Sequence, residues 1–378
     1  MSNLAAIRSI EGYVMEKARS RYGGEFRDGS IGPVKKIRRF WALYREALEC
    51  SNNSAKHYKY YYLRKENGKH RKIYVPFSTL KSHQRFITAL LSEAESVNEH
   101  AFAYVKGKSI KEMAVIHHES GNDIMIKLDI EGFFDAITFD RVYHIFKKYT
   151  CGNKALCTFL ANMCTVQGRL AQGAPTSPII SNLVFRDIDE IIAGYCESKN
   201  IIFTRYSDDM VFSFASNSNR VSNDITIKKI IGFIRRLLRS YGFKLNENKI
   251  KVVTKGGRYN VLGINIGGSR IRVPKVYKKD IRKVMHYIKK FGLENHIEHS
   301  EGFQLDEMES EKKKQACIDY LRKLEGKIQY VLYIEPDNTE MIGYKDVVKI
   351  LLKEYRITLN PIKHIDGFMA ISDDDIPF

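Results

Sequence analysis

The run Ile201-Ile202-Phe203-Thr204-Arg205-Tyr206-Ser207-Asp208-Asp209-Met210-Val211-Phe212-Ser213-Phe214 decides how this chain is read. Two arms of β-branched and aromatic residues flank the polar Ser207-Asp208-Asp209, the pattern of strand, turn and strand. Two adjacent carboxylates at a hairpin tip repel each other and serve no packing purpose, so they call for a cation. Mg²⁺ takes oxygen ligands octahedrally and is typically held by one or two carboxylates plus substrate phosphates. A solvated turn is the competing reading, since Asp is common in turns.

A third carboxylate strengthens the first reading. Residues 123–130 form a short apolar run with Asp129 near its end. Two strands of one sheet can set Asp129 beside Asp208, a site able to clamp two metals about 4 Å apart. Such a pair lowers the pKa of an attacking hydroxyl and stabilises charge on a transferred phosphoryl group. Asp135 reads equally well as a polar residue leading a helix. His117-His118 lack a third ligand at useful spacing, and Asp373-Asp374-Asp375 read as a hydrated acidic tail.

Composition points the same way. The 378 residues are 44% hydrophobic and 28% charged, the balance of a globular chain rather than a disordered one. Sixty-two Lys plus Arg against forty-four Asp plus Glu leave a net charge of +18. That surplus favours a polyanionic partner, because neutralising phosphates releases condensed counterions. Nucleic acid is preferred over a membrane surface, since no basic amphipathic terminus or lipidation motif is present. No run is long and apolar enough for a membrane span, and residues 1–11 lack a secretory apolar core. Cys50, Cys151, Cys157, Cys164, Cys196 and Cys317 are scattered without a C-x-x-C pair, the mark of reduced thiols and a cytoplasmic protein.

Periodicity predicts the elements. Ile37, Phe40, Trp41, Tyr44 and Leu48 recur at helical spacing beside Lys35, Lys36, Arg38 and Arg39. Residues 58–64 and 70–75 read as strands joined at Asn67-Gly68, and residues 80–96 as a helix. Thr138 is expected to cap a helix carrying Val142, Ile145 and Phe146. Pro175 and Pro178 mark a loop before the apolar residues 179–185. A helix over 223–241 should stop at Gly242, with strands over 249–254 and 259–266. Beyond them Ile281, Val284, Met285 and Ile288 form an apolar stripe among many lysines. The expected fold class is an α+β core with a helical appendix.

The motifs resemble those of reverse transcriptases. Lys127-Leu128-Asp129-Ile130-Glu131-Gly132-Phe133-Phe134 is similar to their motif A, Ala171-Gln172-Gly173-Ala174-Pro175-Thr176-Ser177-Pro178 to motif B, and Tyr206 to Asp209 to motif C. Asn246 to Lys249 resembles motif D. Arg71-Lys72-Ile73-Tyr74-Val75-Pro76 and residues 101–110 resemble the two fingers motifs upstream. The resemblance implies a right-hand polymerase: N-terminal helices and fingers over 1–122, a palm over 123–266 with a fingers segment near 150–175, and a thumb with tail over 267–378.

It also implies roles. Asp129, Asp208 and Asp209, with Ile130 beside the first, would hold two Mg²⁺ ions. Phe134, five positions after Asp129, matches the steric gate that leaves no room for a ribose 2′-OH, which implies dNTP substrates, with Phe133 beside it at the nucleotide; a core phenylalanine is the alternative and suits Phe133 about as well as Phe134. Gln172, Gly173 and Tyr206 would sit at the incoming nucleotide, Gly173 allowing close backbone approach. Lys249 resembles the lysine that protonates the pyrophosphate leaving group, a surface lysine being the alternative. Arg71 and Lys72 would grip the triphosphate, with Lys65 and Lys69 solvated. Lys106 and Lys108 would meet template or triphosphate. Lys278, Lys279, Arg282 and Lys283 would grip a duplex backbone, a solvated helix face being the alternative.

Among bacterial enzymes the chain resembles the retron type. The thumb follows the palm directly, and Leu321 to Gly326 with Tyr330 to Pro336 is similar to the retron thumb's closing segment. Two retron markers differ: Met113-Ala114-Val115-Ile116-His117 stands for N-A-x-x-H, and Val261-Leu262-Gly263 for V-T-G. The resemblance implies a cognate noncoding RNA that both templates and primes synthesis, a branched RNA–DNA product (msDNA), and phage defence with an effector protein. Another bacterial reverse transcriptase (group II intron, CRISPR-associated or abortive-infection type) is one alternative. A non-catalytic nucleic-acid scaffold is the alternative of a different class.

Overall fold

Strand β3 (Ile124–Asp129) organises the first of two compact units, which ends at Val261. The computed structural model describes residues 47–357, apart from 48, 65–67, 69, 95, 151–152, 255–256, 258, 303–304 and 306–308. The expected N-terminal helix before Leu48, the residues Lys65, Asn67 and Lys69, and the acidic tail lie outside the described residues. Within β3, Ile124, Met125, Ile126 and Leu128 are all buried. A strand apolar on both faces is the sequence signature of a central strand covered on both sides. It pairs antiparallel with β7 (Asp209–Phe214) on one edge and β8 (Lys251–Val253) on the other, and β6 (Ile202–Tyr206) completes the order β6-β7-β3-β8.

Upstream, β1 (Tyr58–Arg64) and β2 (His70–Pro76) form an antiparallel hairpin in the register Tyr58↔Pro76 to Arg64↔His70. Helices α1 (Ser78–Ala94) and α2 (Ile110–Glu119) lead into β3. Ser109 caps α2, accepting a hydrogen bond from Glu112 N at 3.2 Å. After β3 come α3 (Phe133–Ala136), α4 (Phe139–Tyr149) and α5 (Lys154–Cys164), then the short strands β4 (Thr165–Val166) and β5 (Arg169–Leu170). Thr138 occupies the N-cap position of α4, but its side chain makes no capping bond. Its backbone instead bridges to Arg169, and Phe139 N donates to Gly168 O at 2.9 Å. The long helices α6 (Ser177–Glu197) and α7 (Arg220–Ser240) contribute Phe185, Ile188, Ile192, Ile230 and Ile234 to the same core as β3 and β7. Each such side chain, fully buried, contributes roughly 1.5–3 kcal/mol.

Three boundaries differ from the sequence reading. Helix α7 begins at Arg220 because Asn219 caps it, accepting from Val221 N at 2.9 Å. Lys249 belongs to a 3₁₀ turn, Glu247–Lys249, and not to a strand. The strand expected over 259–266 is interrupted by Leu262 and Gly263, both at positive φ, leaving β9 (Asn260–Val261) and β10 (Ile264–Asn265).

His117 ties α2 to the sheet. Its Nδ1 lies 2.7 Å from Ser213 Oγ and its Nε2 2.8 Å from Thr204 Oγ1, and burial pushes its pKa down to about 4. It is a neutral structural histidine, in keeping with its exclusion as a metal ligand. Among the described residues, Cys50, Cys157, Cys164, Cys196 and Cys317 are buried and form no disulfide.

The second unit begins at Leu262 and is helical beyond β10: α8 (Lys275–Phe291), α9 (Leu293–Glu301), α10 (Ser310–Ile334) and α11 (Thr339–Ile357). Its core comes from Ile281, Met285 and Ile288 of α8, Leu321, Leu324, Ile328 and Val331 of α10, and Val348 of α11. No helix among the described residues is long and apolar enough to cross a membrane.

Candidate active site

The register of the central sheet places Asp129, the last residue of β3, directly opposite Asp209, the first residue of β7. Asp209 in turn pairs with Tyr206 at the end of β6. Ser207 and Asp208 fill the two-residue turn, Ser207 with φ +58. Asp208 O accepts from Ile130 N at 3.0 Å, which ties the turn back to β3. All three carboxylates therefore share one end of one sheet.

Their surroundings set their protonation. Burial, then the neighbouring Asp208 and Asp129, push Asp209 up to about 6. Asp208 is raised as well, by burial first and with Asp129 adding, while Lys249 and Arg71 oppose the shift. Carboxylates that raise one another's pKa are the donor set a divalent cation relieves. Among the described residues, however, no three His, Cys, Asp or Glu side chains converge as a ready cation cage. Asp129 is held otherwise: Lys249 Nζ donates to Oδ2 at 2.5 Å and Asn246 Nδ2 to Oδ1 at 2.8 Å. The donor chemistry fits divalent cations, for which Lys249 and Asn246 would compete at the Asp129 oxygens. The side chain of Ile130 is buried in the core, so only its backbone carbonyl is available as a ligand.

A buried network fixes the turn from beneath. Arg205 is fully buried and ion-paired to the equally buried Asp189, Nε to Oδ1 at 2.8 Å and Nη2 to Oδ2 at 2.6 Å. Its Nη1 donates to Ser207 O at 3.0 Å and its Nη2 to Asn182 Oδ1 at 3.2 Å. Asn182 Nδ2 reaches Ala103 O at 2.9 Å. Removing one partner of a buried ion pair typically costs about 3–5 kcal/mol. Arg205, Asp189 and Asn182 have no role in the sequence reading, and Asn246 enters it only as the start of the motif D resemblance. A charged residue inside the apolar strand before Tyr206 was the one available signal.

The nucleotide-side residues divide. Gln172 O accepts from Tyr74 N at 2.8 Å, so motif B is hydrogen-bonded to β2. Gly173 has φ +105, and a Cβ there would lie 2.5 Å from Tyr74 O. The close approach that Gly173 permits in this structure is to the β2 backbone. Phe133 is corrected: it is buried, its ring 5.5 Å from Phe185 and 6.0 Å from Phe243. Phe134, half-buried and 5.6 Å from Phe133, is the ring of the pair that reaches the surface. Tyr206 is half-buried with Tyr104 6.4 Å away.

The cations divide too. Arg71 is exposed and acts electrostatically on Asp208. Lys72, on the opposite face of β2, lies over the rings of Tyr60 and Tyr74 at 4.0 and 4.7 Å, so it is turned away from the aspartates. Lys106 is exposed, whereas Lys108 donates to Glu99 O and lies over Phe102 at 4.7 Å. In the second unit, Lys278 is bound to both oxygens of Glu335 at 2.8 and 2.9 Å, and Arg282 grips Glu340 bidentately. Those two cations hold helices together, a correction to the expectation that they grip a duplex. Lys279 and Lys283, one turn apart on α8, are exposed.

Comparisons with known proteins give the family of the chain. The family described as "Reverse transcriptase (RNA-dependent DNA polymerase)" matches residues 63–266, more than half of the chain. The chain is 28% identical over 262 residues to the retron Ec86 reverse transcriptase of Escherichia coli, covering 68% of this chain and 77% of that one. It is 31% identical over 216 residues to the retron Ec73 reverse transcriptase of Escherichia coli, covering 53% and 66%. Against the retron Mx162 reverse transcriptase of Myxococcus xanthus it is 29% identical over 282 residues, covering 68% and 56%.

Proposed function

This chain belongs to the reverse transcriptase family of RNA-directed DNA polymerases, to its retron type, and on that premise we propose that Asp129, Asp208 and Asp209 carry its nucleotidyl transfer. The pairing of Asp129 with Asp209 across β3 and β7, with Asp208 in the adjoining turn, supports the reading. The family implies a divalent metal; two Mg²⁺ ions held by the three carboxylates and the Ile130 carbonyl would lower the hydroxyl's pKa and neutralise charge at the phosphoryl group. In the reaction a hydroxyl oxygen of the primer forms a bond to the α-phosphorus of a dNTP, the bond to the bridging oxygen breaks, and pyrophosphate leaves.

The chain's own residues position that exchange. Arg71 meets the triphosphate. Phe134 excludes the ribose 2′-OH, and Gln172 and Tyr206 border the nucleotide. Lys249, poised at Asp129, moves to protonate the pyrophosphate. Lys106 meets the template, and Lys279 and Lys283 grip the duplex. The RNA is a cognate noncoding RNA that templates and primes synthesis, giving a branched RNA–DNA product in cytoplasmic phage defence with an effector protein. Buried thiols support a reducing compartment.

Replacing Asp208 and Asp209 together by Asn should abolish dNTP-dependent primer extension while leaving RNA binding intact; unchanged extension would overturn the mechanism. Covalently joined RNA–DNA recovered from the purified protein is expected, and its absence would count against the branched product.

A further inference from the structure

Helices α6 and α7 enclose a groove of about 540 Å³ that shares no residue with the carboxylate site. Four cations line it, Lys199, Lys228, Lys229 and Arg236, and no lining residue is acidic. Its floor is the stacked pair Tyr195 and Phe233, ring centroids 4.0 Å apart at an interplanar angle of 14°. Arg236 lies seven residues beyond Lys229 and eight beyond Lys228, two turns along α7, so the three cations span an arc of about 100° on the groove side of the helix. Gly232 lies between them without a side chain, which keeps the groove open.

We infer that this groove binds the phosphodiester backbone of a base-paired RNA stem. The cations extend on the order of 10–12 Å along the helix axis. A nucleic-acid strand presents a charge about every 3–4 Å of axis, so Lys228 and Lys229 at one end and Arg236 at the other would meet phosphates about three steps apart, a span that no single small anion bridges. Tyr195 offers no free face to an unpaired base, with Phe233 stacked on its ring and Lys199 Nζ 5.4 Å from its centroid. Base stacking needs a free ring face, whereas paired RNA is recognised through backbone and shape. An acidic groove partner made of protein is the rival occupant.

The inference rests on the polymerase reading only in that the enzyme holds a structured RNA, and its test is independent of catalysis. A fluorescein-labelled RNA stem-loop is titrated with wild-type protein and with the triple variant Lys228→Glu, Lys229→Glu, Arg236→Glu, and again with the corresponding Gln variant. An unpaired RNA of equal length serves as the second probe. The expected result is a Kd for the stem-loop at least about tenfold weaker, with the slope of log K against log salt flattened by about 2–3. Extension of oligo(dT) on saturating poly(rA), and the melting temperature of the Gln variant, should stay at the wild-type level. An unchanged Kd and slope for the stem-loop overturns the inference, as the protein-partner alternative requires. Equal losses for paired and unpaired probes also overturn it. Absent extension by the wild type would sink the catalytic reading while leaving this binding result to stand by itself.

Discussion

Lys249 Nζ lies 2.5 Å from Asp129 Oδ2, so the residue read as the proton donor is docked on the carboxylate read as the metal ligand. The ammonium occupies an oxygen that a divalent cation would need, and the hydrogen bond to Asp129 raises the lysine's own pKa. Lys249→Gln should therefore bind Mn²⁺ several-fold more tightly, measured by titration calorimetry. At saturating metal its kcat should fall by at least about tenfold, within the range of a lost general acid. A variant unchanged in both would show that the contact is incidental.

Asp209 gives a pH dependence with a definite sign. Its folded pKa, about 6, lies above the ordinary value of 3.8. The folded state holds the proton more tightly than the unfolded one, so metal-free protein loses stability as pH rises from about 4 through 6. Asp209→Asn should raise the melting temperature of metal-free protein at pH 7.5 and lose that advantage near pH 4. A variant less stable than wild type at pH 7.5 would contradict the burial argument.

Phe133 and Phe134 should separate cleanly. Truncating the buried ring, Phe133→Ala, should cost about 3–5 kcal/mol in chemical denaturation. Phe134→Val should cost far less, yet raise the efficiency of rNTP over dNTP incorporation by tenfold or more in a primer-extension assay. Equal discrimination in Phe134→Val and wild type would remove Phe134 from the site.

Gly173→Ala tests the contact between motif B and β2. The new Cβ meets a backbone carbonyl at 2.5 Å in a conformation that L side chains rarely adopt. Strain of this kind costs on the order of 1–3 kcal/mol. Because the clash is with Tyr74 O, the displaced element is β2, which also carries Arg71. The KM for dNTP should rise while the affinity for RNA is preserved; an unaltered KM would show that β2 does not set nucleotide binding.

The amino-acid sequence by itself was enough for β1, β2, β3, β6 and β7 and for the family. An apolar run ending in Asp129 and a hairpin pattern around Asp208-Asp209 are local signals, set by side-chain period and turn chemistry. The hairpin of β1 and β2 was equally legible, because aromatic and β-branched residues stand on either side of the Asn67-Gly68 turn signal. What each charged side chain touches was decided only in three dimensions. Lys278 and Lys279 are neighbours in sequence, yet the first is bound to Glu335 and the second is exposed. Arg71 and Lys72 likewise face opposite sides of one strand. Asn246 and Lys249 reach Asp129 because a short turn after α7 returns the chain to β3, and Arg205 holds Ser207 because Asp189 on α6 is buried beneath it. Long flexible cations take their partners from whatever acid or ring the fold brings within a few ångströms, and that distance is a property of packing between distant segments, not of spacing along the chain.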